Sequence, residues 1–297
     1  MGAVRSVFGL LAVVFLASAS TACTSSCATS SHTVVVRSSA VAVSPGPQLP
    51  SATRLSSSQA PAPSSSATRS LLPSTSPAAA PGPLVLLNPG HNGQDAAHPE
   101  IINKPINAGY GRTKACETTG TSTDSGYPEH AFNWDVALRV RTILQARGVR
   151  VLMTRPSDDG VGPCANTRAF LGNRPDVAAQ ISIHADGAAS SGHGFHVCED
   201  SHQPGGAAVA VQSHQLTVAL HNALLSGTGL TVSSYLGHDG YFPRDDLSGL
   251  NLATRPATFL EIGNMRNPGD AAVQTSTSGR QRIATAVAAG ILQYLGR

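Results

Sequence analysis

From residue 84 onward, short apolar runs alternate with amphipathic segments. Residues 84–87 are apolar and are followed by Asn88, Pro89 and Gly90, which predicts a buried strand that ends in a tight turn. Residues 128–148 carry apolar side chains at helical spacing, with Pro at the start and Gly at the end, which predicts an amphipathic helix. The same patterns predict strands at 149–154, 179–184, 194–198 and 257–261, and helices at 164–174, 206–226 and 279–295. This alternation indicates an α/β domain with a mainly parallel central sheet and helices on both faces.

The first 83 residues lack this alternation. Residues 1–23 have the layout of a secretory signal peptide: Arg5, an apolar run too short to span a bilayer, and small residues before Cys23. The segment before Cys23 resembles a permissive lipobox, in which this thiol would carry a lipid; simple cleavage is the alternative. Residues 24–83 are rich in Ser, Ala, Thr and Pro, a composition that predicts a disordered tether. We therefore expect an exported chain with one folded domain at 84–297.

The charges are distributed unevenly along the chain. Four of the 20 basic residues precede residue 84, in a region without acidic residues, and the other 16 nearly balance the 17 acidic side chains that follow. The formal net charge of +3 therefore belongs to the leader and the tether. A nucleic-acid-binding domain carries a clustered basic surface, so we expect no nucleic-acid partner.

Two histidines and one glutamate lie at the ends of predicted strands: His91, His184 and Glu261. Ligands of such sheets bind beyond the carboxyl ends of the strands. Two imidazoles and a carboxylate bind catalytic zinc and leave one position for a water molecule, whose pKa falls to about 7. Among the five glutamates, Glu129 lies in the first turn of the long predicted helix, where the helix dipole favours the ionised, metal-binding form. We expect His91, Glu129 and His184 to bind the metal and Glu261 to accept the proton of the water.

Each of these residues also has a purely structural interpretation. A histidine after a Pro-Gly turn, such as His91, is often a surface residue. Glu129 has the charge that stabilises a helix N-terminus, and Glu261 is also expected to pair with a buried arginine. His130, His193 and His196 are competing ligands, although His193 and His196 are expected to leave a strand on different faces. The remaining histidines of the folded part are expected to be exposed or hydrogen-bonded: His98, His202, His214, His221 and His238.

Four ordered motifs carry a resemblance to a known family. They are Asn88-Pro-Gly-His91, Glu129-His-Ala-Phe-Asn133, Ser182-Ile-His184-Ala-Asp186 and Leu260-Glu261-Ile-Gly-Asn264. In order and spacing they resemble the zinc-dependent N-acetylmuramoyl-L-alanine amidases of the Amidase_3 type. The resemblance extends over 84–297 and includes residues 148–155 and Arg168.

This resemblance implies a fold, a cofactor and a reaction. The fold is a three-layer α/β sandwich with a mainly parallel or mixed central sheet. One Zn²⁺ ion is bound at the positions of His91, Glu129 and His184, and the position of Glu261 is the catalytic glutamate. The reaction is hydrolysis of the amide bond between N-acetylmuramic acid and L-alanine in peptidoglycan or muropeptides.

Two other functions stay open at this point. A zinc carboxypeptidase acting on stem peptides has a His-x-x-Glu signature, but this chain has Gln94 at the last position. A non-catalytic wall-binding lipoprotein typically lacks a ligand or the glutamate, and this chain retains all four residues. We expect a peptidoglycan or muropeptide partner, a monomer, and a location in the cell envelope or outside the cell, with membrane contact only through a lipid on Cys23.

Two features depart from the shortest and commonest family pattern. Asn88 stands where the family usually has Asp before Pro-Gly-His; if that position orients the ligand histidine, Asn accepts the hydrogen bond but lacks the charge. We expect an altered metal affinity from this change. The insertion at 92–126 is long and rich in Gly, and we expect it to lie over the cleft as a lid.

Three cysteines belong to the folded part. Cys116 and Cys164 both lie in predicted loops, and the secreted amidases that this chain resembles carry a cysteine at both places. We expect these two to form a disulfide in an oxidising compartment, with two reduced thiols as the alternative. Cys198 lies in an apolar strand, where it is expected to be a small buried side chain.

Overall fold

The computed structural model describes residues 81–202 and 204–297 of the chain. The predicted signal peptide, the site of lipid attachment at Cys23 and nearly all of the predicted tether lie outside the described residues. The described strands are β1 (Leu84–Pro89), β2 (Pro105–Asn107), β3 (Thr113–Ala115), β4 (Arg150–Met153), β5 (Val177–Asp186), β6 (His196–Cys198) and β7 (Ala257–Asn264). The α-helices are α1 (Pro99–Ile102), α2 (Glu129–Ala146), α3 (Ala165–Gly172), α4 (Ala207–Gly227), α5 (Ser248–Asn251), α6 (Pro268–Thr275) and α7 (Thr277–Tyr294).

Five strands form the central sheet in the order β4-β1-β5-β7-β6. All neighbouring strands in this sheet are parallel except β6, which pairs antiparallel with β7. Parallel strands cannot be joined by tight hairpins, and the chain passes through α2 between β1 and β4, through α3 between β4 and β5, and through α4 on the way from β5 and β6 to β7. The prediction of an α/β domain with a mainly parallel, mixed sheet is therefore confirmed.

Side chains of the apolar strands alternate between the two faces of the sheet. In β1, Val85 and Leu87 pack in the main core, whereas Leu84 and Leu86 pack in a smaller cluster on the other face. This two-residue period is the geometry of an extended chain. Both faces are buried, which explains why the sequence of this strand is continuously apolar.

The long helices cover one face of the sheet. Apolar side chains of α2, α4 and α7 pack with those of β1, β5 and β7 in one core, which includes Phe132, Leu216, Ile181, Ile262 and Ile291. The other face carries the short helices α3 and α5 and the smaller apolar clusters. Within the described residues, no helix combines the length and the apolar character needed to cross a bilayer.

Short elements appear where the sequence shows no periodicity. Residues 92–126 contain a 3₁₀ turn at Asp95–Ala97, helix α1 and the antiparallel pair β2 and β3. Helix α5 and helix α6 are also additional to the prediction. Each of these elements has three to eight residues, which is too short for a hydrophobic period to be recognised.

Candidate metal centre

A cleft of about 430 Å³ opens on the face of the sheet that carries α3 and α5. His184 of β5 and Glu261 of β7 line this cleft and are paired in register, so their side chains leave the same face of adjacent strands. Both strands continue two or three residues beyond these positions. The two strands were predicted to end at these residues, but they extend further, and the site lies on the face of the sheet near its carboxyl edge.

His91 reaches the same cleft from the turn after β1. Its backbone is left-handed, with φ 56°, which is uncommon for a residue other than glycine. Two buried arginines hold the carbonyl groups of this turn. Arg155 Nε donates to Pro89 O at 3.0 Å, and Arg168 donates to Pro89 O at 2.7 Å and to His91 O at 3.1 Å. These hydrogen bonds fix the turn that directs the imidazole into the cleft.

Glu129 is the first residue of α2. Its Oε2 accepts a hydrogen bond from the backbone amide of Thr121 at 3.0 Å, and its Oε1 accepts one from Asn133 Nδ2 at 3.2 Å. The same oxygens lie 3.2 Å from His91 Nε2 and 2.9 Å from His184 Nδ1, respectively. The free amide groups and the dipole at the helix start favour the ionised carboxylate.

His91, Glu129 and His184 form a group that fits a metal ion. One potential ligand atom of each residue lies within 4.8 Å of the others. His91 Nδ1 lies 2.7 Å from the carbonyl oxygen of Thr118, which can only accept, so this nitrogen carries the proton and Nε2 is the atom that faces the group. A hydrogen bond from the remote ring nitrogen to a carbonyl is typical of a ligating histidine. Two imidazole nitrogens and one carboxylate are a donor set suited to zinc and similar divalent ions.

The charges in this group compensate for its burial. Burial alone would raise the pKa of Glu129, but the charges and hydrogen bonds of His91 and His184 lower it well below its usual value. Burial alone would lower the pKa of His91, but Glu129 and Glu117 raise it well above its usual value. For His184 burial prevails and lowers the pKa. These directions favour the ionised carboxylate of Glu129 and the neutral ring of His184, which are the forms that bind metal, whereas His91 has to release a proton when an ion binds.

Glu117 is a part of the site that the sequence did not indicate. Its carboxylate lies 3.2 Å from Arg168 Nη2 and 3.4 Å from His91 Nδ1. Burial alone would raise the pKa of Glu117, but the Arg168 guanidinium and the hydrogen bond with His91 lower it to about 2. Arg168 was noted only as part of the family pattern. It holds the His91 turn and compensates for the charge of Glu117.

Glu261 is a carboxylate without a hydrogen-bond partner for Oε2 among the described residues, and that atom is buried. Burial raises the pKa of Glu261 well above its usual value, and the nearby carboxylates of Glu129 and Asp186 raise it further. A raised pKa allows a carboxylate to take up a proton and release it again near neutral pH. The alternative that Glu261 pairs with a buried arginine receives no support, since no ion pair of Glu261 occurs in the described residues.

The side chain of Asn88 forms hydrogen bonds with polar groups other than the ligand histidines. Its side-chain amide donates to Ser182 Oγ at 2.9 Å, and its oxygen accepts from Thr154 Oγ1 at 2.8 Å and from Arg168 Nη1 at 3.1 Å. Among the described residues it forms no hydrogen bond with an imidazole, so the condition behind the expected change in metal affinity, that this position orients the ligand histidine, is not met. The carbonyl oxygen of Thr118 has that role for His91.

Residues 114–121 form one wall of the cleft. This wall contains Thr118, which contacts His91, and Cys116, which forms a disulfide with Cys164 as the resemblance implies. The predicted insertion thus lies beside the metal group and contacts it directly. Cys198 is buried and has a free thiol, as expected.

The disulfide closes a large loop, and its loss is expected to destabilise the protein. Its cysteines are 48 positions apart, so the chain-entropy model predicts a loss of about 4 kcal/mol in the free energy of unfolding on reduction. Denaturant unfolding with and without reductant measures this loss. The double variant Cys116→Ala and Cys164→Ala should be insensitive to the reductant. Equal midpoints for the oxidised and reduced wild-type protein would contradict the prediction.

The competing histidines do not belong to the metal group. His130 Nδ1 lies 2.9 Å from Asp158 Oδ2, and His193 Nδ1 lies 3.1 Å from Thr231 Oγ1. His196 is buried and packs edge-on against aromatic rings. His98, His202, His214 and His238 are exposed or hydrogen-bonded, and His221 is buried with a hydrogen bond to a backbone carbonyl. Among the described residues, the single group that fits a metal is the one formed by His91, Glu129 and His184.

The sequence of this chain matches one protein family. Residues 85–293 match the Amidase_3 family, described as N-acetylmuramoyl-L-alanine amidase. A curated N-acetylmuramoyl-L-alanine amidase of Mycobacterium tuberculosis is 42% identical over 222 residues, which is 75% of this chain and 90% of that protein.

The structure is also similar to solved structures of amidases, including two from Mycobacterium species. The N-acetylmuramyl-L-alanine amidase Ami1 of Mycobacterium smegmatis is 44% identical, with a TM-score of 0.69, and the match covers 72% of this chain and 97% of that one. The apo form of Ami1 from Mycobacterium abscessus is 43% identical, with a TM-score of 0.68 and coverage of 72% and 99%.

Proposed function

Because this chain belongs to the Amidase_3 family of N-acetylmuramoyl-L-alanine amidases, we propose that it hydrolyses the bond between N-acetylmuramic acid and L-alanine with one Zn²⁺ ion held by His91, Glu129 and His184. Its family and its relatives identify it as a peptidoglycan-hydrolysing enzyme. The ion, the ligands and the role of Glu261 as catalytic residue are our proposal. It rests on one observation: these four side chains line a single cleft.

A bound zinc ion would supply Lewis acidity, which polarises the scissile carbonyl and lowers the pKa of water. Side chains of this chain account for the proton transfer and for the orientation of a ligand. Glu261 is placed on the strand next to His184, where a carboxylate of raised pKa accepts a proton from the attacking water and then donates it to the leaving amide nitrogen. Phe259 stacks on the His184 ring at 4.2 Å between ring centres and fixes its plane.

We further propose that the enzyme acts outside the cytoplasm, in the cell envelope or after secretion. The predicted signal peptide at 1–23 and tether at 24–83 support export, and Cys23 would attach the chain to a membrane if it is lipidated. The disulfide between Cys116 and Cys164 is consistent with an oxidising compartment. The proposed catalytic domain spans 84–297.

Incubation of a purified muropeptide with the full chain tests the proposed function. Mass spectrometry should show free stem peptide and free glycan, product formation should stop with a zinc chelator, and added zinc should restore it. An intact muropeptide in the presence of bound zinc would exclude the proposed activity. A shortened peptide that is still attached to the sugar would show a peptidase instead.

Gly120 offers a direct test of the metal group, because the chain approaches the site closely there. A Cβ at Gly120 would lie 2.7 Å from both Glu129 Oε2 and His91 Cδ2, which is too close for either atom. We expect Gly120→Ala to weaken zinc binding about tenfold or more, as measured by competition with a chromogenic chelator.

Gly126 provides the matched control. It also has a positive φ, of 88°, but no atom lies within 4 Å of a Cβ placed there. Gly126→Ala should therefore show only the backbone cost of about 1–2 kcal/mol in unfolding free energy, with normal zinc affinity. Equal zinc affinities of the two variants would contradict the proposed ligand group.

A further inference from the structure

Two basic side chains line the cleft without a role in the proposed chemistry: Arg244 and Lys114. Arg244 lies in the segment after Phe242, and its guanidinium is 5.1 Å from the centre of that ring. Its Nε and Nη2 each donate to the carboxylate of Asp246 at 2.7 Å. These contacts hold the guanidinium in one orientation.

Lys114 reaches the same carboxylate from the other wall of the cleft. Its Nζ donates to the backbone carbonyl of Asp246 and lies 3.7 Å from Asp246 Oδ2. The neighbouring Arg112 pairs with Asp245 at 2.7 Å. Three basic side chains, those of Arg112, Lys114 and Arg244, therefore pair with two carboxylates, those of Asp245 and Asp246.

The guanidinium of Arg244 has donor capacity left over. Within the described residues, no hydrogen bond involves its Nη1, and a quarter of the side chain is exposed. Arginine presents five N–H donors in a planar fork that suits a carboxylate. A second anion can therefore bind to Arg244 without displacing Asp246.

This donor lies close to the reacting groups. Arg244 and Glu261 both line the cleft, and so do His91, Glu129 and His184. Adjacent residues of a peptide have their Cα atoms about 3.8 Å apart. When the amide of the first residue lies at Glu261, the second residue is therefore still within the cleft.

We propose that Arg244, assisted by Lys114, binds a free carboxylate on the residue that follows L-alanine in the peptide part of the substrate. This inference rests on the proposed function. The muramoyl carboxyl group is consumed in the scissile amide, so the sugar side of the bond has no charge for Arg244 to recognise. The peptide side carries the free carboxylates, and a carboxylate is the group for which an arginine fork discriminates strongly against a neutral amide. The enzyme then prefers an acidic second residue to its amidated form.

Two substrates test the proposal: N-acetylmuramoyl-L-alanyl-D-isoglutamate and its diamide, in which both carboxyl groups of the second residue are amidated. With the zinc-loaded full chain, we expect kcat/KM to be about tenfold higher for the free carboxylate, chiefly through KM. Arg244→Gln should reduce this ratio to about one by raising KM for the carboxylate substrate only. Arg174→Gln is the matched control, since Arg174 pairs bidentately with Asp176 on the exposed surface.

A second variant, which is expected to lower KM, distinguishes loss of the carboxylate site from loss of folding. Asp246→Asn removes a negative charge that repels a second anion at Arg244, so it should lower KM for the carboxylate substrate below the wild-type value. Equal kcat/KM for the two substrates, or a ratio that survives in Arg244→Gln, would overturn the carboxylate site and leave the proposed function intact. Turnover of neither substrate by the wild-type enzyme would overturn the proposed function, and the carboxylate site with it.

Calorimetric titration with the dipeptide L-alanyl-D-isoglutamate gives a reading independent of turnover, because wild type should bind it about tenfold more tightly than Arg244→Gln.

Discussion

Glu261→Gln should lower kcat about 10³-fold while the metal content of the protein stays at one ion per chain. Glutamine has nearly the same shape but cannot accept the proton of the attacking water. Glu261 is not one of the three residues grouped for metal binding, so all three ligands stay in place in the variant. Muropeptide turnover and metal analysis of the same preparation measure both quantities.

Glu199→Gln is the control for this variant. Glu199 also carries a carboxylate next to a histidine, His214, but it lies outside the cleft. Its replacement should leave kcat unchanged. Near-normal turnover in Glu261→Gln would falsify the role of Glu261 as the proton acceptor.

His184→Ala should lose both the metal and the activity. The variant removes one of three donors and also the partner of Glu129 Oε1 at 2.9 Å. A zinc site with two protein ligands binds weakly, so we expect less than about one tenth of an ion per chain after dialysis and at least a 10³-fold lower kcat/KM.

The exposed His238 is the matched control for that experiment, because 94% of its side chain is accessible to solvent. His238→Ala should retain zinc and activity. Full zinc content in His184→Ala would mean that the metal has another set of ligands. Retained activity without zinc would exclude the metal mechanism as a whole.

The central strands and long helices were predictable because each carries a strong period. β1, β5 and β7 are apolar runs, and α2 begins and ends within two residues of the expected positions. The segment 92–126 was not predictable in the same way. Its elements are short and depend on distant contacts, such as the disulfide of Cys116 with Cys164 and the pairing of Lys114 with Asp246.

The candidate site could be predicted in its main residues but not in its supporting ones. The strand ends indicated His91, His184 and Glu261, and a helix start selected Glu129 from five glutamates. Nothing local distinguishes Glu117, whose contacts are with Arg168 and His91, at distances of 51 and 26 positions along the chain. Asn88 shows the reverse case: its place in a motif suggested contact with the histidine, but its strand directs it to Ser182.

The register between β5 and β7 has a consequence for how this enzyme can diversify. His184 and Glu261 are opposite each other on adjacent strands, so their separation follows from the interstrand spacing of about 4.8 Å that all sheets share. No surface mutation changes that spacing. The cleft wall at 244–249 belongs to a loop and the start of a short helix, which tolerate substitution more readily than the strands do. Evolution of new substrate selectivity is therefore free to proceed in this wall while the spacing of the reacting groups stays constant.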